Sequence, residues 1–127
     1  GEVPVGAIYL HDNHINSESG KVTISNHDPS GHAEIMVLRK ASEIRKNHRI
    51  GGTLVVTLEP CVMCMGAMIQ ARIETLIFGA FDPRSGAAGS AFDLSNSPKL
   101  NHKINVIGGV MENECKDLIQ GFFQSKR

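Results

Sequence analysis

The apolar positions along the chain change period several times, and each change marks a new element. Val3 to Leu10 is a β-rich run that enters the polar turn His11-Asp12-Asn13. Val22 and Ile24 alternate with polar partners and predict a short second strand. Asp28-Pro29-Ser30-Gly31 then stops the chain before a helix from about His32 to Lys46, with Ile35, Leu38, Ala41 and Ile44 on one face. Thr53 to Leu58 is almost wholly apolar and β-branched, as a buried central strand should be. Pro60 precedes a second helix, about Cys61 to Ala71, and Thr75 to Gly79 is the next strand. Lys103 to Ile107 is a last short strand. Met111, Cys115, Leu118, Ile119, Phe122 and Phe123 then form the apolar stripe of a closing helix. The order β-β-α-β-α-β-β-α predicts a three-layer α/β domain with a mixed sheet. Between the fourth and fifth strands lies a segment rich in Gly, Ala, Ser and Pro, residues 81–100, and a loop of that length in a compact domain points to function.

With 127 residues and 41% hydrophobic content, the chain fits one globular domain over 1–127. It can bury roughly two-thirds of its unfolded surface. No apolar run approaches the roughly 20 residues of a membrane span, and no secretory leader precedes the first strand. Three cysteines, two of them in C-x-x-C spacing, argue against a disulfide framework and for a reducing, cytoplasmic setting. The formal net charge is zero, so bulk electrostatics do not announce a nucleic-acid binder. Basic residues are nevertheless clustered. Arg39-Lys40 and Arg45-Lys46-Asn47-His48-Arg49 crowd the end of one helix, where cations also suit the helix dipole, and Lys126-Arg127 ends the chain. For the first cluster a solvated face is the preferred reading.

The chemistry-bearing residues are His32-Ala33-Glu34 and Pro60-Cys61-Val62-Met63-Cys64. His32, Cys61 and Cys64 are three zinc ligands, and Glu34 is a carboxylate left outside that set. One zinc per chain held by three protein groups keeps its fourth position for water, which marks a catalytic rather than a structural site. Both segments open helices, where exposed N–H groups favour the thiolate. Two thiolates roughly cancel the metal charge and acidify water less than three histidines would. A base is therefore required, and Glu34, two residues past His32, can take the proton of the attacking water. Cys115 could close the metal site as a fourth ligand, but its place in the apolar stripe favours a buried, inert thiol. A redox C-x-x-C pair leaves His-Ala-Glu unexplained. Glu59 reads as a supporting partner of the site or a helix-end charge, not as a catalyst.

The ordered pattern H-x-E…P-C-x-x-C is the signature of the zinc-dependent nucleobase deaminases, and the chain resembles that superfamily, specifically its bacterial tRNA adenosine deaminases. The likeness runs through Glu2-Val3-Pro4-Val5-Gly6-Ala7, Asp28-Pro29, His32-Ala33-Glu34-Ile35, Thr57-Leu58-Glu59-Pro60-Cys61 and Cys64-Met65-Gly66-Ala67-Met68. It continues through Phe78-Gly79-Ala80-Phe81-Asp82, Gly86-Ala87-Ala88-Gly89-Ser90, Asn101-His102 and Glu114-Cys115, so it covers essentially the whole chain. The resemblance implies a cytidine-deaminase-like α/β/α fold around a central mixed five-stranded sheet. It implies deamination of the wobble adenosine of a tRNA anticodon loop to inosine. It also implies a homodimer, with Met63, Met65, Met68 and Ile69 of the second helix near the interface. The family's amphipathic helix before the first strand is absent from the chain.

Further site residues follow from the same likeness. The family holds its target base with an asparagine in the loop before the His-Ala-Glu helix. Counting back from His32 without gaps places Lys21 there, whereas a strand over Val22–Ser25 makes Asn26 the residue leaving it, and Asn26 is preferred. Ser30-Gly31 stands where the family more often has Thr-Ala, a change expected to loosen that turn. Asp82 matches a ribose-contacting position, although Asp82-Pro83 also reads as a plain turn. Arg84 could meet phosphate, and Phe122 or Phe123 could stack on loop bases, with core packing preferred for Phe122. His102 suits either the pocket mouth or the open surface, and Lys126-Arg127 suits an RNA backbone contact. The nearest rival is a free-base deaminase acting on guanine or cytosine, against which the stretch from Phe78 to Ser90 speaks. A zinc module without catalysis has no need of Glu34.

Overall fold

The protein's structure, a computed structural model, describes residues 3–125. Strand β1 (Gly6–His11) turns directly into β2 (His14–Gly20). The turn is made by Asp12 and Asn13, which take φ values of 53° and 63°, the left-handed pair that a two-residue hairpin needs and that Asp and Asn tolerate. The return strand therefore starts eight residues before Val22, and the strand predicted at Val22 and Ile24 does not form. Residues 22–27 coil into a helical turn instead, with the Asn26 amide donating to the Val22 carbonyl at 3.0 Å. The polar sequence of β2 carries little hydrophobic alternation because it is an edge strand with most of its residues outside the core.

The chain continues through α1 (Ala33–Arg45), β3 (Thr53–Leu58), α2 (Val62–Gln70), β4 (Thr75–Ala80), β5 (Asn105–Ile107) and α3 (Glu112–Ser125). The five strands lie in the order β2-β1-β3-β4-β5, with β1 antiparallel to β3 and with β3, β4 and β5 parallel. This is the expected mixed sheet, with the apolar β3 at its centre. Alternate residues define its two faces. Ala7, Tyr9, Leu54, Val56, Leu76 and Phe78 are buried in one core with Val37, Leu38 and Ala41 of α1 and Met65, Met68 and Ile69 of α2. Each Val, Leu, Ile, Met or Phe side chain so removed from water contributes roughly 1.5–3 kcal/mol, which holds both helices against this face. Tyr9 keeps its phenol satisfied inside by donating to the Ile50 carbonyl at 2.8 Å.

The other face is less covered. Helix α3 packs there through Cys115, which sits so close to Gly79 that a Cβ on that glycine would lie 2.3 Å from the sulfur. The predicted stripe of α3 is only partly buried: Met111, Leu118 and Phe123 are exposed, and Cys115, Ile119 and Phe122 are half-buried. Beside the helix an apolar cavity of about 500 Å³ runs over Ile8, Val55 and Ile77. On α2, Met65, Met68 and Ile69 belong to the core and only Met63, with Val62, remains exposed.

Candidate active site

Two helix starts meet at the carboxyl ends of β3 and β4, the side of a parallel pair where ligands usually bind. His32 is the N-cap of α1 and Cys61 the N-cap of α2, both in extended backbone, and neither side chain caps its own helix. The Cys61 sulfur and the His32 ring nitrogen instead face each other. The turn ahead of His32 is tightly built. Asp28 Oδ1 accepts the Ser30 amide at 2.9 Å and the Ser30 hydroxyl at 2.7 Å, and these bonds hold the Asp28 carboxyl below the usual carboxylate range. A Cβ on Gly31 would stand 3.1 Å from the Asp28 carbonyl and from the backbone of Val22 and Thr23. The glycine closes this turn, contrary to the loosening expected of Ser30-Gly31.

Cys61 Sγ lies 3.7 Å from Cys64 Sγ and 3.7 Å from His32 Nδ1, and Cys64 Sγ lies 3.5 Å from His32 Nδ1. A tetrahedral zinc with ordinary bonds of about 2.3 Å to sulfur and 2.1 Å to nitrogen sets S···S edges of about 3.8 Å and S···N edges of about 3.6 Å. The three donors fit that group. The contact with the Cys64 sulfur, above all, draws the Cys61 pKa down to about 5. The same contact, then burial, then the charge of Glu34, push Cys64 the other way, so its proton departs when a cation takes its place. Cys115 is elsewhere, against Gly79, and among the described residues the metal-ligating cluster is His32, Cys61 and Cys64.

Glu34, in the first turn of α1, is 4% exposed. Burial raises its pKa, against hydrogen bonds from its own backbone amide and the Cys64 thiol. A carboxyl so placed can both take and give a proton, which is what general acid–base work asks. It lines a cavity of about 210 Å³ together with His32, Cys61, Asp82 and Ser85, walled by Val5 and Leu58. Asn26 is exposed on the helical turn and does not line this cavity; Lys21 does. The preference for Asn26 fails because it rested on a strand over 22–25 that the early hairpin displaces. The gapless count from His32 gives Lys21, the residue that does line the cavity.

Asp82 and the loop that carries it are organised by Glu59, a buried carboxylate. Glu59 Oε1 accepts the Asp82 amide at 3.1 Å, and Oε2 accepts the amides of Ala88 at 3.0 Å and Ser90 at 3.1 Å. The Ser90 hydroxyl donates to Oε1 as well. Asp82 Oδ1 in turn accepts the amides of Arg84 and Ser85, both at 3.1 Å, so the residue is turn-former and pocket wall at once. The Arg84 side chain is exposed. His102 is bonded through Nε2 to the Ile73 carbonyl at 2.6 Å, at the start of β4, and does not line the cavity. The basic residues around the end of α1 are exposed, Arg39 facing Asp28 at 3.6 Å. Lys126 and Arg127 lie outside the described residues.

Comparison with known proteins agrees with this geometry. A family model described as MafB19-like deaminase matches residues 1–127. The tRNA-specific adenosine deaminase of Haemophilus influenzae is 43% identical over 129 residues, covering 100% of this chain and 75% of that protein. The tRNA-specific adenosine deaminase of Bacillus subtilis is 38% identical, covering 100% of this chain and 80% of its own. A solved structure from a study of A-to-I editing by tRNA:A34 deaminases at the wobble position superposes with a TM-score of 0.86 at 38% identity, over 90% of this chain and 83% of the other. A guanine deaminase from Nitrosomonas europaea shares the fold, with a TM-score of 0.75 at 21% identity, over 93% of this chain and 71% of the other.

Proposed function

The chain belongs to the tRNA-specific adenosine deaminase family, and on that premise we propose that it converts the wobble adenosine of a tRNA anticodon loop to inosine. The observation that carries the chemistry is the three-atom cradle of His32, Cys61 and Cys64 with the buried Glu34 beside it. A zinc ion held by those three residues would supply the Lewis acidity that makes water a nucleophile near neutral pH. Glu34 accepts a proton from that water, and oxygen bonds to C6 of adenine. Glu34 passes that proton to N1, then takes the remaining proton of the C6 hydroxyl and gives it to the amine, so that the C6 carbonyl forms, the C6–N bond breaks and ammonia leaves. Water is consumed and nothing is oxidised. Val5 and Leu58 keep bulk water from the base, and Asp82 meets the ribose.

An anticodon loop presents unstacked bases, so no duplex has to be opened to bring adenine into a cavity of this size. The free-base reading has only the shared fold of the guanine deaminase in its favour. We further propose a homodimer that uses the exposed Val62 and Met63 of α2, and a cytoplasmic enzyme whose residues 1–127 act as one catalytic domain. Among the described residues no helix is long and apolar enough to cross a membrane. The test is to incubate unmodified tRNA with zinc-loaded protein and map inosine by digestion and mass analysis. Inosine at the wobble position supports the reading. Its absence from tRNA that carries a wobble adenosine contradicts it.

A further inference from the structure

The three donors of the cradle are not held equally. Cys61 and Cys64 stand one turn apart at the start of α2, where the Met65 amide donates to the Cys61 carbonyl at 2.9 Å, and the helix itself fixes their spacing. His32 comes from the start of α1 and has to be aimed at them. Histidines that bind metal usually give their second ring nitrogen to a carboxylate or a carbonyl, which sets the ring. Here Nδ1 faces the sulfurs, and among the described residues no group hydrogen-bonds Nε2. The aim must therefore come from the backbone. The His32 amide donates to the Ser30 carbonyl at 2.8 Å and its carbonyl accepts the Met36 amide at 3.0 Å, so the placing of His32 follows that of Ser30.

Ser30 is in turn placed by Asp28, whose Oδ1 takes both its amide and its hydroxyl. The Asp28 amide donates to the Thr23 carbonyl at 3.0 Å, and the Asp28 carbonyl accepts the Gly31 amide at 3.0 Å. Oδ2 faces Arg39 Nη1 at 3.6 Å, on the second turn of α1. One carboxylate therefore grips the chain on both sides of His32. The turn between is close-packed, with no room for a Cβ at Gly31, so a shift at Ser30 passes on to His32. We propose that Asp28 is a positioning residue of the metal cradle, its bonds to Ser30 and its contact with Arg39 fixing the direction in which His32 presents Nδ1 to the two sulfurs. The inference rests on the reading of His32, Cys61 and Cys64 as a metal cradle. It also gives Arg39 a task within the protein, distinct from the solvated basic residues at the far end of α1.

The test measures metal affinity rather than turnover. Asp28→Ala, Asp28→Asn, Ser30→Ala and Arg39→Ala are compared with the unaltered protein by chelator competition for zinc. Each is also loaded with cobalt, whose visible bands report the geometry of its ligands. Asp28→Ala should bind zinc about 10–100-fold more weakly, the usual cost of losing a group that orients a ligand, and its cobalt bands should shift. Asp28→Asn should recover most of both, because its amide oxygen still accepts the Ser30 amide and hydroxyl. Arg39→Ala should cost less, since the ion pair is long and its arginine exposed. Ser30→Ala removes the hydroxyl bond alone and should weaken zinc by about 3-fold or more. A merely structural role would lower the melting temperature and leave the bands of the folded, cobalt-loaded protein in place. Parental zinc affinity and parental cobalt bands in a folded Asp28→Ala protein, or in Ser30→Ala if the former does not fold, overturn the proposal. Equal losses in Asp28→Ala and Asp28→Asn overturn it too, because the charge and not the bond to Ser30 would then be responsible. An unaltered protein that takes up neither metal overturns the metal reading instead.

Discussion

Glu59 and Ser90 are joined twice: the serine amide donates to Oε2 at 3.1 Å and the serine hydroxyl donates to Oε1. With the amides of Asp82 and Ala88 on the same carboxylate, a single buried side chain ties the first half of the 81–100 loop to the residue before the Pro60-Cys61 pair. The loop wall and the metal cradle are thereby set by one strand end.

Glu59→Gln should therefore damage more than its size suggests. An amide has one acceptor oxygen and places an N–H₂ against amides that also donate, so at least one buried donor is left unpaired. The loss should be about 2 kcal/mol or more in urea unfolding. Zinc should be retained while activity on RNA falls, since Asp82 is no longer held. Parental stability would show that the carboxylate is not what orders the loop.

The loop also depends on a glycine. A Cβ on Gly86 would fall 2.4 Å from Glu59 Cδ and 2.5 Å from the Asp82 carbonyl, and backbone cannot yield as a side-chain tip can. Gly86→Ala should be clearly destabilising, whereas Gly66→Ala in α2, where a Cβ meets nothing within 4 Å, should be neutral or stabilising by roughly 0.5–1 kcal/mol. Equal effects of the two in thermal unfolding would contradict this packing.

What the sequence made legible follows from how local the physics is. His32-Ala33-Glu34 and Cys61…Cys64 are set by helical spacing and helix starts, so the cradle could be read before any tertiary contact was known. Thr53–Leu58 declared itself as the central strand because it is apolar along most of its length, and it is paired on both edges. Strand β2 did not, because an edge strand built on His14, Asn16 and Glu18 needs no apolar alternation. That miss underlay the preference for Asn26 over Lys21, of which only Lys21 lines the cavity. Glu59 was legible as a supporting partner, but the groups it supports were not: they lie 23 to 31 residues downstream, in a loop whose path no pattern of apolar residues encodes. Helix α3 showed a clear stripe, yet a stripe states what can be buried and not what is.

Metal analysis separates the cysteines. Cys61→Ser and Cys64→Ser should lose stoichiometric zinc, and Cys115→Ser, whose thiol packs on Gly79, should keep it. Zinc lost from the Cys115 variant, with its fold intact by circular dichroism, would contradict the three-residue cradle.

Glu34→Ala separates binding from chemistry. The variant should hold one zinc and bind an anticodon stem-loop about as tightly as the parent, because Glu34 is outside the cradle. Its turnover should fall by at least roughly 100-fold, the usual cost of a lost general acid–base group. Near-parental single-turnover rates would remove Glu34 from the mechanism.

The most direct measurement of the central claim is kcat/KM for the zinc-loaded protein on an anticodon stem-loop with adenosine at the wobble position, set beside free guanine, cytosine and adenosine. Contacts beyond the base, at Asp82 and along the loop it anchors, supply transition-state binding that a free base cannot recruit. The account predicts inosine in the stem-loop at an efficiency at least ~100-fold above any of the small substrates. Efficient ammonia release from guanine or cytosine, with no inosine formed in the RNA, would contradict it.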